Sequence, residues 1–177
     1  MEICPIFAER LFAFKYDNIF KSIYDRKLHD WQDFDHIFEK ALENDIDVSL
    51  IDKFFDEIFY DREFFRSEIE RCANENVLFD IFKCLDNYSK NIINLEPAKA
   101  KIYIRKENRL SRLRLYSLRV NNSKFIITGG AIKFTLKMEH HKDTKAELEK
   151  LNVCRKFLID SESEFNDNNI IDNFFES

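Results

Sequence analysis

The chain of 177 residues has only two glycines and two prolines. So few backbone breakers exclude a Gly/Pro-rich linker or a low-complexity chain. No run of about 18 apolar residues occurs, so no transmembrane helix is expected. The N-terminus, MEICPIFAERLFAF, begins with an acid and is interrupted by Glu9 and Arg10. It therefore lacks the basic start and small-residue cleavage site of a signal peptide. The four cysteines (Cys4, Cys72, Cys84 and Cys154) form no CxxC pair. Their spacing argues against a zinc site and fits a thiol-reduced, cytoplasmic protein. There is no Walker loop, no GxGxxG, no HExxH and no Ser-His-Asp order. Neither a metal nor a cofactor is expected.

Hydrophobic residues make up 45% and charged residues 34% of the chain, which is globular composition. The 19 phenylalanines predict an aromatic core. The length suits a single domain over 1–177. The net charge of −5 conceals a segregation: residues 1–96 hold 12 basic and 22 acidic side chains, and residues 97–156 hold 16 basic and 5 acidic. Residues 157–177 hold 6 acids and no Lys or Arg, an acidic tail. A basic segment inside an acidic chain either meets a polyanion such as RNA or is neutralised internally by the acidic parts.

Hydrophobic spacing predicts the elements. LFAFKY (11–16) alternates as a strand with an aromatic face. Spacings of three and four over 18–43 predict an amphipathic helix broken near Asp30. Ser49 with Asp52 marks the start of a second helical stretch, with Phe54, Ile58, Phe65, Ile69 and Cys72 on its stripe. Residues 77–85 are apolar without a clear period. Pro97 marks a junction, after which the period falls to 2. KIYIRK (101–106), RLRLYSLRV (112–120) and KFIITGGAIKFTL (124–136) read as three strands of an antiparallel meander, the last two joined at Asn121-Asn122. Thr144 and Glu147 form a capping box for a last helix carrying Leu148, Leu151, Cys154 and Leu158. IIDNFFES ends the chain as an apolar anchor. The fold class is α+β, in the order β-α-α-β-β-β-α, with an enlarged helical N-terminal part.

Both glycines sit side by side in FIITGGAIKFT, as Gly129 and Gly130. A strand runs on both sides, so they mark a bulge or a close approach to the backbone. The approaching group could be a helix or a nucleic acid. Five arginines (Arg105, Arg109, Arg112, Arg114 and Arg119) fall within fifteen residues. Strand period puts Arg112, Arg114 and Tyr116 on one face, where guanidinium forks suit phosphates and the phenol suits base stacking. Lys133 on the neighbouring strand extends that face. His140-His141 point apart and make a poor metal pair, yet His140 could act as a general acid or base. His29 and His36 lie on the helical part and look structural.

The run Arg114-Leu115-Tyr116, the apolar strand Ile126 to Gly130, Lys133-Phe134-Thr135 and the helix from Thr144 resemble the RelE/HigB-like toxin superfamily. FKCLDN (82–87) is similar to its short K-x-L element, and the resemblance spans about residues 50–158. It implies ribosome-dependent mRNA cleavage without metal or cofactor, in which a ribose 2′-hydroxyl attacks its own phosphate. The partners implied are mRNA on the ribosome and an antitoxin or other protein. Catalysis would fall to Arg114, Lys133 and His140, and RNA contact to Lys101, Arg105, Arg112, Tyr116 and Arg119. The N-terminal part is longer and more acidic than in those compact basic toxins. A non-catalytic protein-interaction module, such as a mobile-element accessory protein, therefore stays open beside the endonuclease, with a DNA-binding regulator ranked last.

Overall fold

The computed structural model of the chain describes residues 1–17, 19–85, 95–121, 123–134 and 142–164, the last helix with its side chains over 145–161. The elements in chain order are β1 (Glu2–Phe7), β2 (Leu11–Lys15), α1 (Ile23–Asp30), α2 (Phe34–Glu43), α3 (Ile51–Asn74), α4 (Leu78–Ile81), β3 (Phe82–Cys84), β4 (Glu96–Ala100), β5 (Tyr103–Ile104), β6 (Arg109–Leu110), β7 (Leu113–Arg119), β8 (Phe125–Ile132) and α5 (Lys142–Glu164). The class is α+β, with a mostly antiparallel sheet. Strand order is β1-β2-β8-β7-β4-β3, and among the described strands only the β2–β8 pair is parallel. The pair β5–β6 forms a separate two-stranded ladder.

Local chemistry sets the helix starts. Ser22 accepts from the Asp25 amide at 3.1 Å and Asp33 from the His36 amide at 3.2 Å, each satisfying an amide that helix geometry leaves orphaned. The break expected near Asp30 is the gap between α1 and α2. For α3 the cap lies earlier than Ser49: Asp47 accepts from the Ser49 amide at 2.8 Å and opens a short 3₁₀ turn, Val48–Leu50, that runs into the helix. Every third or fourth residue of α3 from Ile58 through Phe65 and Ile69 to Cys72 is buried, as the stripe predicts.

The remaining elements refine or correct the sequence expectations. The N-terminal strand is preceded by β1, and the two form a hairpin. Pro97 lies inside β4 instead of at a junction. Its carbonyl accepts from the Leu85 amide at 3.0 Å, so its missing N–H also faces the β3 side, and the bond forgone is the reciprocal one to the Leu85 carbonyl at the sheet edge, not one to β7. KIYIRK is strand only at Tyr103–Ile104, which is β5 of the separate ladder; the sheet strand β4 ends before it at Ala100, and Arg105–Glu107 form a 3₁₀ turn closed by left-handed Asn108. The apolar segment 77–85 splits into α4 and β3. Thr144 is inside α5, which begins at Lys142, so the capping box does not set that helix's start. His140, the turn residue Asn122 and the tail IIDNFFES lie outside the described residues.

The core is a sheet with helices on both faces. Leu11, Phe12, Ala13 and Phe14 are all buried, because β2 is covered on each side. Phe14 packs edge-on against Phe157 of α5, ring centroids 6.3 Å apart. On the opposite face Trp31, which ends α1, packs against Phe65 of α3 at 6.0 Å. Full burial of side chains this large contributes about 1.5–3 kcal/mol each. The glycine pair is explained by these two layers. Gly129 and Gly130 point to opposite faces, and neither has a positive φ. A Cβ on Gly129 would lie 1.7 Å from Glu147 Oε2 of α5, and one on Gly130 would lie 3.0 Å from Trp31 Cζ2. The bulge falls next to them: Tyr116 pairs with Gly129 and Ser117 with Ile127, leaving Thr128 as the extra residue.

Candidate polyanion-contact site

On β7 Arg114 and Tyr116 share a face, as the period of 2 requires, but that face is closed. Arg114 is 7% exposed and Tyr116 3%. Tyr116 is paired with Gly129, against which α5 presses Glu147, so α5 folds over the sheet surface expected to be open. That expectation is corrected by the last helix, whose docking face is not visible in the strand itself.

Arg112 does not share the Arg114 face. At the head of β7 it turns to α3, where Nε donates to Glu57 Oε2 at 2.5 Å and the guanidinium carbon sits 4.3 Å from the Phe54 ring centroid. Its other donor reaches the Phe134 carbonyl at 3.2 Å. Arg109 is held by Asp61, with Nη1 and Nη2 donating to the two carboxylate oxygens at 3.0 and 2.7 Å. Asp61 also accepts from the Arg112 amide at 2.6 Å. Arg105, exposed on its 3₁₀ turn, lies toward α3. Glu68 is held below the usual carboxylate range chiefly by hydrogen bonds from Arg71, with Arg105 as a smaller cause. Arg119, toward the other end of β7, pairs with Glu96 at 3.5 Å.

Lys101, Arg114 and Lys133 remain, and the structure brings them together. Ala100 pairs with Leu115, so Lys101 arrives at the level of Arg114. The Lys133 amide donates to the Arg112 carbonyl at 2.7 Å, which extends the β7–β8 register by one pair. Arg114 is anchored by Nη1 on the Ser111 and Leu113 carbonyls at 2.5 and 2.6 Å. Partial burial holds the Lys133 ammonium below its usual range, and the positive charges of Arg114 and Lys101 push it the same way. Burial likewise lowers Arg114. Among the described residues no carboxylate forms an ion pair with any of the three. Three cations at one end of β4, β7 and β8 can hold an oxyanion, and an anion there would relieve their mutual repulsion.

A second polar group lies under α5. Tyr16 Oη donates to the Thr128 carbonyl at 3.0 Å and is 3.3 Å from Cys154 Sγ. Burial pushes the Cys154 thiol up to about 11, which keeps it protonated and poorly nucleophilic. Glu147 Oε1 pairs with Lys150 at 2.6 Å while Oε2 is buried without a partner. The residues that sequence reasoning passed over are Glu57 and Asp61; Glu147 figured there only as a capping-box residue. Asp61 did leave a signal: it occupies a core position between Ile58 and Phe65 on the apolar stripe, where an acid must be paired. No group of His, Cys, Asp and Glu suited to a metal occurs among the described residues, and no helix there is long and apolar enough to cross a membrane. Comparison with protein-family models, with curated proteins and with solved structures finds no match.

Proposed function

We propose that the chain is a non-catalytic protein-interaction module that presents an acidic, aromatic helical surface to a basic partner. The observation that carries this is the use of the basic segment inside the molecule: Arg112, expected to face RNA, and its neighbour Arg109 are engaged by Glu57 and Asp61 of α3. Acids of the N-terminal part thus pair with Arg109, Arg112 and Arg119 of the basic segment. What α2 and α3 leave outward is aromatic. Phe34 is 41% and Phe59 47% exposed, bridged by Phe55 at centroid distances of 5.2 and 6.3 Å. The acids Asp52, Asp56 and Glu63 stand exposed on the same helix. An exposed apolar strip among acids suits a partner segment with apolar and Lys/Arg side chains.

The ribosome-dependent mRNA endonuclease implied by the RelE/HigB-like resemblance is the second reading. It is favoured by the Lys101–Arg114–Lys133 cluster, which has no carboxylate partner among the described residues and could receive a phosphate. Induced expression separates the two. The interaction module leaves growth and mRNA intact, and its co-purifying partner is lost in a Phe34→Ser/Phe59→Ser variant. Growth arrest with cleaved mRNA, relieved by Lys133→Ala, would overturn it in favour of the endonuclease.

A further inference from the structure

The acidic N-terminal half contains a cationic cleft that its charge balance hides. Between the β1–β2 hairpin, α1 and α3 lies a half-open cleft of about 440 Å³, within the size range of small-molecule sites. Its polar wall carries Arg62, Arg66 and Lys21, and its apolar wall is Phe7 against Tyr24, ring centroids 5.9 Å apart. Arg62 is fixed in place by Nε donating to the Leu28 carbonyl at 2.6 Å, and its Nη1 meets the exposed Glu63. Neither Arg66 nor Lys21 forms an ion pair among the described residues. Asp25 is the one carboxylate lining the cleft, and the Ser22 hydroxyl donates to it at 2.6 Å. His29 also lines the cleft.

Tyr24 supplies the independent observation. Its side chain is 2% exposed, and its Oη is buried with no hydrogen-bond partner. A buried hydroxyl left unpaired is costly unless something else satisfies it. The charges acting on it are Arg66, Asp25, Glu70 and Arg62, with Arg66 the strongest. Tyr24 and Arg66, which has no ion pair among the described residues, line the same cleft. We infer that this cleft binds a nucleoside monophosphate, the phosphate on Arg62 and Arg66 with the Tyr24 hydroxyl as a further donor, and the planar base against Phe7. Two guanidiniums and a lysine match a phosphate dianion, and the aromatic wall with the cleft's volume calls for a larger, flat group attached to it.

The test is titration of the full chain with AMP, GMP, CMP and UMP, and separately with inorganic phosphate, followed by calorimetry and amide chemical shifts. At least one nucleotide should bind at least tenfold more tightly than phosphate, with shifts at the α1–α3 cleft. Arg66→Ala, an exposed position that leaves the core intact, should weaken it about tenfold or more. Tyr24→Phe keeps the ring and removes the orphan hydroxyl, so it should weaken binding without lowering the unfolding temperature. No nucleotide binding up to 5 mM overturns the inference. So does phosphate binding as tightly as every nucleotide, or an affinity unchanged in Arg66→Ala.

Discussion

Replacing Asp61 by alanine tests whether α3 is locked to the basic segment by a buried charge. Asp61 is 0% exposed and accepts three hydrogen bonds, two from Arg109 and one from the Arg112 amide. Removing one partner of a buried pair costs about 3–5 kcal/mol, because the other charge is left behind. Arg109 is 24% exposed and already touches Glu107 at 2.5 Å, so it can swing toward water and that charge. This places the ion-pair loss near the lower end. The Arg112 amide, left without its acceptor, adds about 1 kcal/mol or more. The expected destabilisation is about 4 kcal/mol, a large share of the 5–15 kcal/mol that holds a typical domain together. The single tryptophan, Trp31, is buried against Phe65 and reports unfolding by fluorescence in urea. The double variant Asp61→Ala/Arg109→Met should be at least ~1 kcal/mol less destabilised than the sum of the two single changes. A loss below ~1 kcal/mol for Asp61→Ala, or strict additivity in the cycle, would refute the lock.

Gly129→Ala should cost about 1–3 kcal/mol by overpacking against Glu147, and Glu147→Ala in the same chain should recover most of that loss; urea midpoints of the three variants decide it. Stability should be level up to about pH 9 and fall toward pH 11. Cys72 and Cys154 keep their protons up to about 11 in the folded chain, whereas unfolded thiols lose theirs near 9.0, so unfolding releases protons in that window. Cys154→Ala should flatten the fall, as read from urea midpoints at pH 8 and 10.5. The hairpin turn holds both Ala8 and Glu9 at positive φ, 50° and 51°, a type I′-like geometry that disfavours side chains. Glu9→Gly should therefore raise stability by about 1 kcal/mol, and an unchanged or lower unfolding temperature would count against strain at this turn.

The longest elements were legible because their causes are local. The 3.6-residue stripe from Ile58 to Cys72 is α3, and the alternation from Leu113 to Arg119 is β7, since each period follows from where successive Cβ atoms point. The small ladder β5–β6, the N-terminal hairpin and the strand through Pro97 were not legible, because pairing partners and not propensity made them strands. The candidate site divides in the same way. The segregation of charge and the placing of Arg114 and Lys133 along neighbouring strands follow from composition and period, whereas Lys101 joins them through the register of β4. The loss of Arg109 and Arg112 to Asp61 and Glu57, across 48 and 55 residues, depends on how α3 crosses the sheet. The glycine pair shows both sides. By itself the sequence determined that FIITGGAI is a strand whose backbone something must approach closely. Only the tertiary structure decided what approaches, Glu147 on one face and Trp31 on the other, because helix docking is set by long-range packing that no local pattern encodes.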